Sequence, residues 1–305
     1  MSPLARPLAS SAPVRKPWFT AASPAVTAAK DSSGSSSLPA TTSRVSARRL
    51  ATIERQMLDL DRDVLLFVQS LRLVSGAQVR RRFWPGDESA ARASRRALAR
   101  LAGWRVLERI DGRRGGVRAG SDGYVYIVGP AGHRLLSRIG FDGKRAGAPG
   151  DRYIAHTLQV AESVVLLHEA ALTGALDLIE VQTEPACWRP FLGLMGARVV
   201  LKPDLFLRLG AGHVDEDRWF VEIDMATESA GTLATKFKRY GQHFRAGEEQ
   251  RRTGVYPRVI WAVPNVRRAS VLNDVLERLG PEAKQLHVVT TQTALVPLLT
   301  AEARS

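Results

Sequence analysis

Val200-Leu-Lys-Pro-Asp204-Leu-Phe-Leu-Arg208 and Arg218-Trp-Phe-Val-Glu222-Ile-Asp224-Met-Ala-Thr227-Glu228-Ser229 are the two segments that decide how the second half of this chain is read. Each is a run of apolar, strand-forming residues that carries acids. On a strand, residues two apart share a side, so Glu222 and Asp224 point together and Ile223 enters the core. Two neighbouring strands then bring Asp204, Glu222 and Asp224 to one end of a sheet. Converging carboxylates suit a hard divalent cation such as Mg²⁺. Such a cation activates water and neutralises phosphate during phosphodiester cleavage. The plainer reading of the same acids is a solvated strand end, with Glu228 capping the next helix beside Thr227 and Ser229.

Around these segments the pattern alternates. A helix is expected over 153–171, and strands over 178–183, 198–209, 219–224, 258–263 and 286–290. Further helices are expected over 232–246 and 269–279. Strands mixed with helices, several near-continuously apolar, describe a mixed sheet covered on both faces.

The first half reads differently. Val64, Leu65, Phe67, Val68, Leu71 and Val74 form one broad apolar face of a helix with acids at its start. Ser75-Gly76 stops it, a short helix runs over 77–83, and Asp87 caps a third helix reaching about Leu101. Two short strands around a Gly/Arg-rich turn follow, at 105–110 and 123–128, and Pro130 opens another helix. Helix, helix, helix, β-hairpin is the order of a winged helix-turn-helix.

Charge follows the same division. The chain carries a net +14, of which 1–50 hold +6, 51–150 hold +9 and 151–305 hold −1. A basic half beside a neutral half indicates a polyanionic partner, here double-stranded DNA. Arg92, Arg95, Arg96 and Arg100 share one face of the third helix, preceded by Arg80, Arg81 and Arg82. The turn of the hairpin adds Arg113, Arg114 and Arg118 among glycines, a loop slim enough to follow a groove. The competing reading is a solvated basic face that binds protein.

Residues 1–50 are Ser-, Ala- and Pro-rich and form a basic tail with nothing to bury; a transit peptide is its other reading. The domain plan is therefore tail (1–50), winged-helix unit (51–141), linker (142–152) and α/β unit (153–300). No apolar run approaches the roughly 20 residues that span a bilayer, so no membrane partner is expected. The single cysteine, Cys187, allows no internal disulfide and fits a cytoplasmic setting. His156, His168 and His213 sit at no metal-ligand spacing and read as ordinary helix or loop residues.

Pro-Asp204 followed by Glu222-x-Asp224 on the next strand resembles the PD-(D/E)xK nuclease superfamily. More narrowly, a winged helix joined to Lys-Pro-Asp204, to Glu222-Ile-Asp-x-x-Thr-Glu-Ser and to Lys236-Phe-Lys238-Arg-Tyr240 resembles the plasmid replication-relaxation proteins. The likeness covers about 60–280. It implies a restriction-endonuclease-like sheet and a role at plasmid DNA, with replication or mobilisation proteins as partners. It also implies a site in which Asp204, Glu222 and Asp224 hold Mg²⁺, Glu162 assists from the first helix, and Lys236 supports the attacking water. At the third motif position, where active members usually carry lysine, this chain has Asp224. Lys236 and Lys238 on the following helix are the residues that reach back, and 236, 240 and 243 put Lys236, Tyr240 and His243 on one helix face. The expected function is DNA binding in plasmid replication, relaxation or mobilisation, with metal-dependent nicking. The alternative is a non-catalytic winged-helix regulator with a degenerate nuclease-like unit.

Overall fold

A computed structural model describes residues 45–110, 123–141, 150–193, 196–211 and 215–302. Ser46 caps α1 (Ala47–Gln56), its hydroxyl accepting from the Arg49 N–H. Helix α2 (Asp59–Leu71) buries Val64, Leu65, Phe67, Val68 and Leu71, the face expected from its periodicity. Val74 instead lies on a three-residue strand, β1 (Leu73–Ser75), too short for alternation to reveal. Ser75 does not simply stop a helix. It caps α3 (Gly76–Phe83) in a reciprocal box with Gln78. Asp87 caps α4 (Glu88–Gly103) by accepting from the Ser89 and Ala90 N–H groups. Strands β2 (Leu107–Ile110) and β3 (Val125–Val128) pair antiparallel, and β1 joins the other edge of β3 to give the order β1-β3-β2. Helix α5 (Pro130–Arg138) closes this unit.

Helix α6 (Asp151–Leu172) opens the second unit. Then come β4 (Leu178–Thr183), β5 (Arg189–Leu192), β6 (Arg198–Leu201), β7 (Leu205–Ala211) and β8 (Asp215–Ile223). After them run α7 (Ala230–Ala246), α8 (Glu248–Thr253), β9 (Arg258–Val263), α9 (Val266–Leu279), α10 (Pro281–Leu286), β10 (His287–Thr291) and α11 (Leu295–Glu302). The single strand expected over 198–209 is two. Pro203 lacks the N–H that would continue a ladder, so β6 pairs with β5 in a separate hairpin while β7 enters the main sheet. That sheet is five-stranded and mixed, ordered β10-β9-β8-β7-β4. The pairs β4–β7 and β7–β8 are antiparallel, and β8, β9 and β10 are parallel.

Apolar side chains cover both faces of the sheet. Phe206, Phe220, Val259 and Trp261 pack with Leu233, Phe237 and Tyr240 of α7 and Leu272 and Leu276 of α9. On the other face Leu205, Leu207, Val221 and Ile260 pack with Val160, Val164 and Leu167 of α6. The same cluster continues without a break through Phe67, Val68, Leu98 and Leu136 of the first unit. The two units therefore share a core. Polar contacts close the same junction. Arg81 on α3 meets Glu169 through Nε at 2.8 Å and Nη2 at 2.6 Å and also pairs with Glu162. Gln78 donates to Glu162 at 3.1 Å and to the Leu158 carbonyl at 2.9 Å.

Close approach in the first unit requires glycine at position 132. A Cβ there would stand 2.3 Å from the Val106 carbonyl oxygen and 2.9 Å from Val128 Cγ1. Gly132→Ala is therefore predicted to destabilise the fold by about 1–3 kcal/mol, the usual cost of overpacking. An unchanged urea midpoint would show that α5 does not sit as described.

Candidate functional site

Strand alternation decides which acids can meet. Val221 and Ile223 belong to the core under α6 and Phe220 to the core under α7, so Glu222 faces α7. There the Tyr240 hydroxyl donates to Glu222 Oε1 at 2.6 Å, and the Lys236 ammonium lies 3.5 Å from Oε2. Positions 236 and 240 are one helical turn apart, so a single face of α7 presents both groups. Lys236 Nζ is also 2.9 Å from Glu228 Oε1 and 5.9 Å from the Trp261 ring centre. His243, on the same helix face, lies deeper and meets the Tyr256 hydroxyl at 2.9 Å.

Asp204 sits where the chain turns from Pro203 into β7. Its N–H donates to the Val221 carbonyl at 3.1 Å, and its Oδ2 accepts from the Ile223 N–H at 2.7 Å. His156 on α6 brings Nε2 to 3.3 Å from the same oxygen. Asp204 and Glu222 are thus fixed at adjoining strand ends. Beside them lies a cavity of about 540 Å³, lined among others by Tyr153, His156, Glu222, Asp224, Lys236 and Trp261.

The electrostatics follow from burial. Burial lifts the Glu222 carboxyl to about 7; Lys236 pulls it down, while the charge of Asp204 pushes it up. For Lys236, burial works against the charged form, but Glu222 and Glu228 more than offset it and hold the ammonium above its usual value. The bond to Asp204 raises the His156 imidazole, against the opposing effect of burial.

Asp224 does not join this pair. It lies past the end of β8, and Arg268 on α9 grips it bidentately, Nε to Oδ2 at 2.6 Å and Nη2 to Oδ1 at 2.9 Å. Glu162 does not join it either, since Gln78 and Arg81 take its carboxylate at the junction with α3. The expected set Asp204, Glu222, Asp224 and Glu162 is therefore not gathered at one point. Among the described residues no group of three or more His, Cys, Asp or Glu side chains is placed to hold a metal ion. Arg268 lies 44 residues from Asp224, and no spacing in the sequence marks it as that acid's partner. His156 escaped the sequence reading for the same reason: only the fold brings it to Asp204.

The replication-relaxation family model matches residues 65–259, from within α2 to the start of β9. The chain belongs to the replication-relaxation family. That membership ties it to plasmid replication and relaxation. No curated protein matches the chain, and no solved structure does.

The arginines expected at DNA divide in this replication-relaxation protein. Arg92 and Arg96 are exposed on α4. Arg95 pairs with Glu88 at 2.5 Å, and Arg100 pairs with the buried Asp61 at 2.6 Å while lying over the Trp104 ring. Arg81 is committed to α6, Arg82 lies over the Phe83 ring, and Arg80 is half-buried at the end of α3. Arg113, Arg114 and Arg118 lie outside the described residues, as do residues 1–44 of the tail expected over 1–50; its last residues, 47–50, are instead the first turn of α1, where Leu50 is buried. No helix among the described residues is long and apolar enough to cross a membrane.

The raised Glu222 carboxyl has a consequence for stability. A folded-state value above the unfolded one means the native state holds the proton more tightly. That stabilisation is complete below the ordinary glutamate range and is lost as pH rises through about 7. Relative to wild type, Glu222→Gln is therefore predicted to gain about 2–4 kcal/mol between pH 5 and pH 8. Thermal denaturation of both proteins across that range measures it, and a constant difference would rule it out.

Proposed function

We propose that this protein binds duplex DNA through a winged-helix unit and nicks a phosphodiester at the Asp204–Glu222–Lys236 cluster of a nuclease-like unit. The observation that carries the reading is Lys236. The motif position where an active nuclease usually has lysine holds Asp224, yet an ammonium from the next helix stands beside the second motif acid, Glu222. The fold agrees with the proposal on both sides. The order α2, β1, α3, α4, β2, β3, with its three-stranded antiparallel sheet, supports a winged helix over 51–141. Helix α6, the antiparallel β4, β7 and β8, then α7 and the parallel β9, support a restriction-endonuclease-like unit over 153–300.

Mg²⁺ commonly takes only one or two carboxylates from a protein and the rest of its ligands from phosphate and water. Asp204 and Glu222 fit that share. Both contacts to Asp204 fall on Oδ2, and its Oδ1 has no hydrogen bond among the described residues. Asp224 and Glu162 do not fit, because arginines engage them. When bound there, the metal supplies an activated water and neutralises phosphate charge. The chain's own groups do the rest. Lys236 places positive charge where phosphate charge develops. Tyr240 holds Glu222 in one rotamer, and His156 orients Asp204. In the first unit, exposed Arg92 and Arg96 provide the charge that meets the DNA backbone. The setting proposed is the cytoplasm, with plasmid replication or mobilisation proteins as further partners.

A second reading rests on the Asp224–Arg268 pair, which ties up one motif acid at the cavity wall with a guanidinium. On that reading the protein is a regulator that binds DNA without cutting it. Supercoiled plasmid incubated with and without Mg²⁺ separates the two. Mg²⁺-dependent nicking that falls on the order of 100-fold in Asp204→Ala supports the nuclease. Retarded plasmid with no metal-dependent nick supports the regulator. In either case Arg92→Ala with Arg96→Ala is predicted to lower the slope of log affinity against log salt by about 2. Equal slopes would remove α4 from the DNA interface.

A further inference from the structure

Arg72 ends α2 with φ 67° and ψ −42°, a backbone conformation that a non-glycine residue adopts only under strain. The chain on either side is fastened. The Ser70 carbonyl accepts from the Thr183 hydroxyl at 2.7 Å, which ties the end of α2 to the end of β4, and Leu73 enters β1. The guanidinium itself is held differently. Nη1 lies 3.5 Å from the Tyr153 hydroxyl and Nη2 lies 3.5 Å from Glu184 Oε2, and the side chain is 40% exposed.

Those distances contrast with the other inter-element arginines of this molecule. Arg268 grips Asp224 at 2.6 and 2.9 Å, and Arg81 grips Glu169 at 2.6 and 2.8 Å. Both are bidentate, charge-assisted clamps of ordinary strength. Arg72 makes two single contacts at the outer limit of a hydrogen bond. The backbone is thus aimed and anchored while the planar fork at its end remains weakly engaged. Its surroundings adjoin the cavity described above through one of its two partners. Tyr153 lines that cavity, and Glu184 lies within electrostatic reach of Asp204, His156 and Lys202. A weakly engaged guanidinium at the edge of a site with two buried carboxylates is placed to receive a tetrahedral oxyanion, which it can grip through two parallel N–H donors.

We propose that Arg72 is a phosphate-binding residue of the Asp204–Glu222 site, supplied by the DNA-binding unit, which exchanges its contacts with Glu184 and Tyr153 for one phosphate of the bound DNA strand. The inference rests on the DNA-binding reading above but not on cleavage. It makes the site composite, because the first unit contributes a cation to the rim of the second unit's site.

The test is the affinity of the full chain for a labelled duplex, measured against salt without Mg²⁺, for wild type, Arg72→Ala, Arg72→Gly and Glu184→Gln. The slope of log affinity against log salt is expected to fall by about 0.9 in both Arg72 variants, the loss of one phosphate contact. Glu184→Gln is expected to keep the wild-type slope and bind more tightly, because its guanidinium is released. Glycine relieves the positive φ, so Arg72→Gly is expected to melt above Arg72→Ala and keeps the test valid if alanine fails to fold. Arg72 variants with the wild-type slope overturn the inference and leave DNA binding standing. So does a slope lost equally in Glu184→Gln, which would make the pair a structural staple. A wild-type protein with no salt-sensitive affinity overturns both readings together.

Discussion

Helix α6 is the member on which everything else leans. Its apolar side chains Val160, Val164 and Leu167 lie in a core that includes the sheet strands β7 and β8 and the helices of the first unit. Its polar side chains reach in both directions, with His156 on Asp204 and Glu162 and Glu169 on Arg81. A helix buried from two sides has little freedom to shift without opening one core or the other, because packed interiors deform poorly. The basic unit and the acidic cavity are therefore held in one fixed relation, and the contacts that fix it are named residues on a single element.

The acids of the second unit meet three separate fates, and local charge explains each. Glu222 is almost fully buried, a position in which a lone carboxylate is costly. A tyrosine hydroxyl and a lysine ammonium offset part of that cost, and the remainder appears as a carboxyl that holds its proton to about 7. Asp204 is bound by a backbone N–H and a histidine, which hold it in place without a full neutralising partner. Asp224 receives a bidentate arginine and becomes part of the packing between β8 and α9. Only the first two keep the unbalanced character that a site for a cation or a phosphate requires.

The arginines divide by the same logic. Arg81 and Arg100 face carboxylates across element boundaries and hold the fold together, whereas Arg92 and Arg96 face solvent from α4. Composition counts them alike. The net charge of the first unit therefore overstates the number of guanidiniums open to a polyanion, although its sign is unaffected.

The sequence by itself determined the principal helices and strands and the order in which they run, but not the short β1, β5, α8 and α10 or the break at Pro203. The period of Val64 to Leu71, the Asp87 cap, the apolar runs at β7, β8 and β9, and the turn from 236 to 240 on α7 are all local, and local periodicity and capping carry that information. It also determined that Asp204 and Glu222 lie at the ends of strands and that Lys236 and Tyr240 share a helix face. Tertiary structure alone decided which charges meet. Arg268 reaching Asp224, Arg81 reaching Glu162, His156 reaching Asp204 and Arg72 resting near Glu184 join residues separated by 44, 81, 48 and 112 positions. A carboxylate and a guanidinium carry no mark of their partner along the chain. Their pairing is set by the register of strands and the packing of helices, and both are fixed only when the apolar core closes.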